Sequence, residues 1–314
     1  MENFPTYSIV GYMFSHFKIV PLLISLLLPA VGMAQELAPR VYWPAPVGTR
    51  VATVIYAHVS GDAIPDRSLP ITGVDSSIDS INLGYRHTLN LFDRTTNLTL
   101  ELPYTDGTTV GTRDQELNLE RQYSGIGDLA ATLSINILGA PAMNLQEFQA
   151  MRRNPQPVLG ASIKLVAPTG RYESDRLINV GANRWAMKAE VGYITVLRPK
   201  WLLEMSLGAW LFQDNDDFLG MRKEQKPVVS VQGHLIHRFR AGLWASLDAN
   251  YYEGGRSKIG GQRLDDLQRD SKIGATLVFP FASRHAIKMS YSVGSLNDSD
   301  ENFYTFLIGY QRVF

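Results

Sequence analysis

Ionisable side chains recur in this sequence in the middle of stretches whose neighbours alternate between apolar and polar residues. Arg86, Lys164, Lys188, Lys272 and Lys288 are balanced by Glu101, Asp128, Glu190, Glu204 and Asp248. Charges placed this way can line an aqueous passage, pair across it, or sort ions by sign; equal numbers of each sign argue against a strongly cation- or anion-selective pore. His234 is the one histidine in a comparable position, with Ser246 and Asp248 on the following stretch. A histidine beside a carboxylate and a hydroxyl could serve as a general base, but a lumen histidine in a polar network is the plainer reading. The sequence holds no Gly-x-Ser-x-Gly, P-loop or His-Glu-x-x-His motif and no cysteine, so thiolate metal sites and disulfides are excluded. No catalytic residue, metal or cofactor is assigned, and no enzymatic activity is expected.

Strand periodicity must position these groups. Ile81, Leu83, Tyr85, His87, Leu89 and Leu91 alternate with Asn82, Gly84, Arg86, Thr88 and Asn90. Similar stretches run from Val51–Ser60 to Tyr304–Phe314, and about twelve can be counted. When each is phased by its apolar residues, every charged residue named above falls on the other face. Arg312, near a strand end, is the exception, and His87 is a doubtful polar residue on the apolar side. A cation facing lipid at the bilayer midplane costs roughly 2–4 kcal/mol, so a hydrocarbon-facing surface should exclude charge in this way. No stretch after the N-terminal region approaches the length of a helical span.

Connections alternate in length. Asp93–Thr96, Leu197–Lys200, His237–Arg240 and Pro280–His285 are short. Gly61–Asp75, Thr105–Gly127, Pro168–Asn183, Gln213–Lys226, Gly254–Asp270 and Leu296–Asn302 are long and polar. Gly139–Gln156 is long but falls on the short side, with a helical turn expected around Gln146–Met151. Short turns at one end and long loops at the other predict an all-β, transmembrane, antiparallel up-and-down β-barrel. Folding about Asp93–Thr96 sets Glu101 opposite Thr88 and makes Arg86 its diagonal neighbour. Tyr56, Trp210, Phe212 and Tyr252 fall towards the long-loop ends, where they predict an aromatic vestibule or, alternatively, an interfacial girdle.

Lys18, the apolar run Ile19–Val31 and Gly32-Met33-Ala34 form a secretory signal, giving residues 1–34 as signal peptide, with translation starting at Met1 or Met13. Residues 35–49 form a periplasmic tail that Pro39, Pro44 and Pro46 keep extended and able to fold into the lumen; residues 50–314 form the barrel. The last strand, Phe306-x-Ile308-x-Tyr310-x-x-x-Phe314, resembles the terminal aromatic signal read by the barrel assembly machinery, apart from Arg312.

Gly125-Ile-Gly-Asp128, Gly160-Ala-Ser-Ile-Lys-Leu-Val-Ala-Pro-Thr-Gly-Arg-Tyr172, Leu177-Ile-Asn-Val-Gly-Ala-Asn-Arg-Trp185 and Tyr42-x-Pro-x-Pro-x-Gly48 resemble the MetA-pathway-of-phenol-degradation family. The resemblance covers nearly all of the chain after Ala38 and implies an outer-membrane barrel with a transport role linked by name to aromatic catabolism. It brings no catalytic residues. The expected function is passive or facilitated uptake of small, aromatic or hydrophobic solutes across the outer membrane. An outer-membrane hydrolase centred on His234 and a closed structural or adhesive barrel are the alternatives. The expected partners are outer-membrane lipid, the assembly machinery through Phe314, and small organic solutes. Thirty basic and thirty acidic residues leave no net charge, so no nucleic-acid partner is expected.

Overall fold

The strands turn their apolar side chains outward, the reverse of a water-soluble fold. In the computed structural model, which describes residues 37–63, 74–113, 117–297 and 303–314, Leu207 is 58% exposed and Leu247 64%. Leu83, Ile163, Val191, Met205, Ile273 and Tyr291 are also exposed, and together they form a continuous apolar belt. A soluble monomer rarely exposes contiguous apolar area beyond a few hundred Å², so this belt is a hydrocarbon-facing surface. The expected signal peptide lies outside the described residues.

In chain order the elements are β1 (Arg50–Gly61), β2 (Val74–Leu91), β3 (Arg94–Arg113), β4 (Leu117–Ile126), β5 (Ala130–Leu138), α1 (Leu145–Arg153), β6 (Val158–Val166), β7 (Ala186–Arg198) and β8 (Trp201–Phe212). They continue with β9 (Asn215–Phe218), β10 (Met221–Gln225), β11 (Val228–Arg240), β12 (Leu243–Gly254), β13 (Ser257–Ile259), β14 (Gln262–Arg263), β15 (Gln268–Ala282), β16 (His285–Asn297) and β17 (Phe303–Val313). Antiparallel pairing runs β2-β1-β17-β16-β15-β12-β11-β8-β7-β6-β5-β3, and the β2–β3 pair closes the ring. β4 continues β5 along β3, so they count as one wall strand and the barrel has 12. Closure leaves no edge strand in the twelve-stranded ring, which a barrel in lipid requires because no water is there to satisfy open backbone groups.

Turns at one end are tighter than the sequence suggested. Leu91 pairs with Arg94, leaving a two-residue turn in which Phe92 (φ 54°) and Asp93 (φ 55°) are both left-handed, the type I′ geometry that matches strand twist. Glu101 therefore opposes Gly84 rather than Thr88, while Arg86 remains diagonal to it. The other short turns are flanked by register shifts at Val196/Arg198, Arg238/Arg240 and Pro280/Ala282. At the opposite end, three expected loops contain strands. Thr105–Gly127 is largely a β3–β4 hairpin extending the wall, and β9, β10, β13 and β14 form a separate four-stranded sheet. Stretches such as Met221-Arg-Lys-Glu-Gln225 are polar and short, so periodicity gave no sign of them.

The expected helical turn is the nine-residue helix α1. Asn144 caps it, its Oδ1 accepting from Gln146 N at 2.9 Å and Glu147 N at 3.0 Å, while Glu147 Oε2 accepts from Asn144 N at 2.8 Å. Phe148, 1% exposed, points from α1 into the barrel mouth. Phe148→Ala should lower stability by roughly 3–5 kcal/mol, and Asn144→Ala by about 1 kcal/mol, in denaturant titrations of lipid-reconstituted protein. Equal losses would show that the helix packs nothing of consequence.

Candidate functional site

Inward side chains form three tiers. At the short-turn end Val158, Ile194, Leu202, Ile236, Trp244, Val278 and Ala286 surround Tyr42, Trp43, Met143 and Phe148. The middle tier is charged and polar. Towards the long loops, Ala130, Val166, Ala186, Trp210, Val228 and Tyr252 pack together with Phe212 at their edge. A further cluster, including Val59, Ile78, Tyr123, Ile178, Phe218 and Phe303, packs apolar residues of wall strands against loop residues. The lumen therefore has apolar ends and a polar waist.

The tail occupies the short-turn half. Gly48 N donates to Thr88 O at 2.8 Å and Val47 N to Met143 O at 2.8 Å, so the chain enters beside β2 and the segment preceding α1. The Arg40 guanidinium lies 4.9 Å from the Trp43 ring and 5.0 Å from the Trp244 ring, and Arg238 approaches Trp43 at 5.3 Å. Arg40 N–H donates to the Glu204 carboxylate, and Ala38 N–H to Gln232 Oε1 at 3.4 Å. Tyr42 hydroxyl lies 3.0 Å from both Ser162 Oγ and Glu190 Oε1. A cavity of about 40 Å³ beside these contacts is lined by residues that include Arg86, Glu101, Lys164, Lys188 and Glu190.

The charged residues singled out in the sequence are brought together in the waist with two qualifications. Lys164 Nζ meets Glu101 Oε2 at 2.9 Å, and Lys188 Nζ meets Glu190 Oε2 at 2.6 Å. His234 lies opposite Asp248 on β12 and Glu204 on β8, with its Nδ1 2.8 Å from Asp248 Oδ1. The other Asp248 oxygen accepts from Thr276 Oγ1 at 2.8 Å, and Ser290 Oγ lies 2.6 Å from Thr276 Oγ1. Lys272 Nζ donates to Thr305 Oγ1 at 3.1 Å, Lys288 is buried, and Arg86 Nε donates to Thr99 Oγ1 at 3.1 Å. Asp128 differs: it lies between β4 and β5, and its carboxylate accepts from Gly170 N at 2.7 Å and Ala182 N at 2.8 Å. Glu101 opposite Gly84 is the second departure, a shift in register set by the tight turn.

Breaking a buried ion pair from one side leaves an uncompensated charge, typically at a cost of 3–5 kcal/mol, whereas replacing both partners is far milder. Lys164→Met should therefore destabilise the reconstituted barrel by roughly that amount, and adding Glu101→Leu should restore part of the loss, since buried Arg86, diagonal to Glu101, then loses its carboxylate. Additive losses in an equilibrium unfolding cycle would show the two groups to be uncoupled.

Of the four vestibule aromatics, Trp210, Phe212 and Tyr252 share one cluster at the long-loop end. Arg184 Cζ sits 4.6 Å from the Phe212 ring, and Tyr252 hydroxyl donates to Asp270 Oδ2 at 2.7 Å. Tyr56 is a correction. It faces outward, 39% exposed, with its hydroxyl on Asp79, because β1 turns Ile55, Ala57 and Val59 into the barrel. Tail and cradle residues Arg40, Tyr42, Trp43, Gly160, Ser162 and Gly192 were not assigned from sequence. An aromatic pair in a proline-rich tail is the signal that could have found the tail residues, whereas the glycines gave none without the strand register.

Asp128 joins the Gly-rich motifs. Arg171 N donates to Ile126 O at 2.8 Å, Arg171 Nη1 to Ser124 O at 2.9 Å, and Gly181 N to Arg171 O at 2.9 Å. A Cβ on Gly170 would meet Gly127 C at 2.8 Å, and one on Gly181 would meet Gly170 C at 2.8 Å, so three glycine backbones stack at this clasp. The motifs hold the 167–185 loop against the wall.

A closed barrel with a hydrocarbon belt and a polar, tail-filled lumen is an integral protein of the bacterial outer membrane. Its fold is similar to that of the COG4313 outer membrane channel from Pseudomonas putida F1, with 24% identity over 87% of this chain and 98% of that one, and a TM-score of 0.73. It is also similar to the translocator domain of the autotransporter NalP from Neisseria meningitidis, with 10% identity over 85% of this chain and 89% of that one, and a TM-score of 0.50. No curated protein matches the chain. Residues 71–310 match the family described as "Putative MetA-pathway of phenol degradation", and the chain belongs to that family.

Proposed function

We propose that this barrel is a channel for small, aromatic or hydrophobic solutes, and that its tail must move for solute to pass. The observation that carries the reading is the nature of the plug. The short-turn half of the lumen is filled by a chain segment that lies on the wall and contributes no strand to it, and such a segment can leave without unfolding the barrel. An apolar, aromatic-lined end on each side of a polar waist suits a neutral ring better than an ion. The similar fold of a protein described as an outer membrane channel supports the same reading. Residues 1–34 fit a cleaved export signal, and the aromatic strand ending at Phe314 fits recognition by the assembly machinery.

Uptake into proteoliposomes tests this directly. Small neutral aromatics should enter faster than a sugar of similar mass, and failure of either to enter above empty vesicles would remove the channel reading. The hydrolase reading is weaker: His234 is 2% exposed beneath the tail, and its Asp248 partner is committed to Thr276.

A further inference from the structure

Tyr42 is a phenol lodged in the lumen, and its surroundings are built to the shape of that ring. Gly160 on β6 and Gly192 on β7 are direct cross-strand partners. A Cβ on Gly160 would stand 2.2 Å from Tyr42 Cδ1, and a Cβ on Gly192 would stand 2.1 Å from Tyr42 Cε2. Neither glycine has a left-handed φ, so the backbone does not call for glycine at either position; the ring does. Both inward positions are therefore left without side chains where an aromatic face lies flat against the wall.

The hydroxyl end is equally specific. Glu190 Oε1 and Ser162 Oγ each lie 3.0 Å from the Tyr42 oxygen. Glu190 is itself held, its Oε2 accepting from Lys188 Nζ at 2.6 Å and Gln232 Nε2 at 3.3 Å. One carboxylate oxygen is thus left to accept from the ring's hydroxyl, with a serine beside it. The 40 Å³ cavity bordering Ser162 and Glu190 leaves room for a small substituent or water next to the hydroxyl.

We propose that Gly160, Gly192, Ser162 and Glu190 form a binding site for a monohydroxylated benzene ring, and that Tyr42 is its resident occupant, displaced by a free phenol. Displacement frees the tail from the wall, so the ligand releases its own stopper. That consequence rests on the channel reading; the binding site does not. A phenol donates to Glu190 and stands within hydrogen-bond distance of Ser162 as Tyr42 does, while a hydrocarbon of the same shape offers neither group a partner.

The probe is p-cresol, the tyrosine side chain as a free molecule, with toluene as its hydroxyl-free match. In detergent-solubilised full-length Tyr42→Gly, calorimetry should show p-cresol binding roughly tenfold or more tighter than to wild type, where Tyr42 competes, and roughly tenfold or more tighter than toluene. Adding Gly160→Ala should abolish that binding, because the methyl stands where the ring lies. Equal affinity for wild type and Tyr42→Gly, or equal affinity for p-cresol and toluene, overturns the site. Heat-dependent gel migration reports whether each variant is folded. Should Tyr42→Gly fail that check, wild type itself decides: p-cresol, and not toluene, should shift tryptophan emission saturably as Trp43 leaves Arg40 and Arg238, and no shift overturns the proposal. If p-cresol binds yet leaves wild-type conductance unchanged, the site stands and release of the stopper by the ligand is overturned, while the uptake assay alone decides the channel reading.

Discussion

Deleting residues 38–48 should raise the single-channel conductance of the reconstituted barrel by roughly tenfold or more, and shift it towards cations. The segment removed includes Tyr42 and Trp43, which fill the apolar tier at the short-turn end, so its loss opens the space between Trp244, Ile194 and Leu202. The charge balance changes with it. Arg40 is removed, while Glu204 and Glu190, which accept from the Arg40 backbone and the Tyr42 hydroxyl, remain facing the lumen. A lumen that loses a cation and bares two carboxylates attracts positive ions. The barrel itself should survive, because the strand-to-strand ladders use none of residues 38–48, and the Gly48 N bond to Thr88 O is lost without unpairing any strand. Planar-bilayer recording with asymmetric salt measures both effects. Conductance unchanged by the deletion would mean that α1 and its loop close the pore without help from the tail.

Leu247→Arg should cost roughly 2–4 kcal/mol of stability in lipid, a penalty that a substitution on an ordinary exposed surface, usually within about 0.5 kcal/mol, never approaches. Leu247 sits near the middle of β12 opposite Leu235 and Ala275, and at 64% exposure its side chain meets hydrocarbon. Its neighbours Ser246 and Asp248 point the other way and are buried. Burying an arginine in hydrocarbon requires it to snorkel or to drag water and headgroups inward, and the cost falls towards the interfaces. Arg312 shows the permissive case, an outward cation at the end of β17 with its guanidinium 4.8 Å from the Phe314 ring. Equilibrium unfolding in vesicles measures the difference, and a loss below about 0.5 kcal/mol at Leu247 would remove the hydrocarbon-facing assignment of that strand.

Strand phase was legible wherever charge marked the inside. Apolar residues set the face of β7 and of β12, and Lys188, Glu190 and Asp248 on the other side corroborate it, because an ion has one tolerable side in a lipid-embedded wall. β1 has no charge in its interior, and Tyr56 was placed inward on the greater apolarity of the opposite face. That criterion fails where the lumen is filled. Val51 packs with Ala45 and Val313, and Val59 with loop residues, so an apolar side chain is as much at home inside as out. Turn residues were partly legible: Phe92 and Asp93 carry no glycine signal, and their left-handed backbone was hidden until pairing placed Leu91 against Arg94.

Residue order alone establishes that this chain alternates with period two, that its apolar face meets hydrocarbon, and that most of its connections are short at one end and long at the other. These are local properties, written in residues a few positions apart, and the bilayer selects the barrel from them. What fills the lumen was decided only in three dimensions. Tyr42 reaches Glu190 across 148 positions, and Asp128 reaches Ala182 across 54, by contacts that depend on which strands lie opposite the point of entry. Two glycines in adjacent strands have no meaning until register sets them side by side and a ring is laid on them.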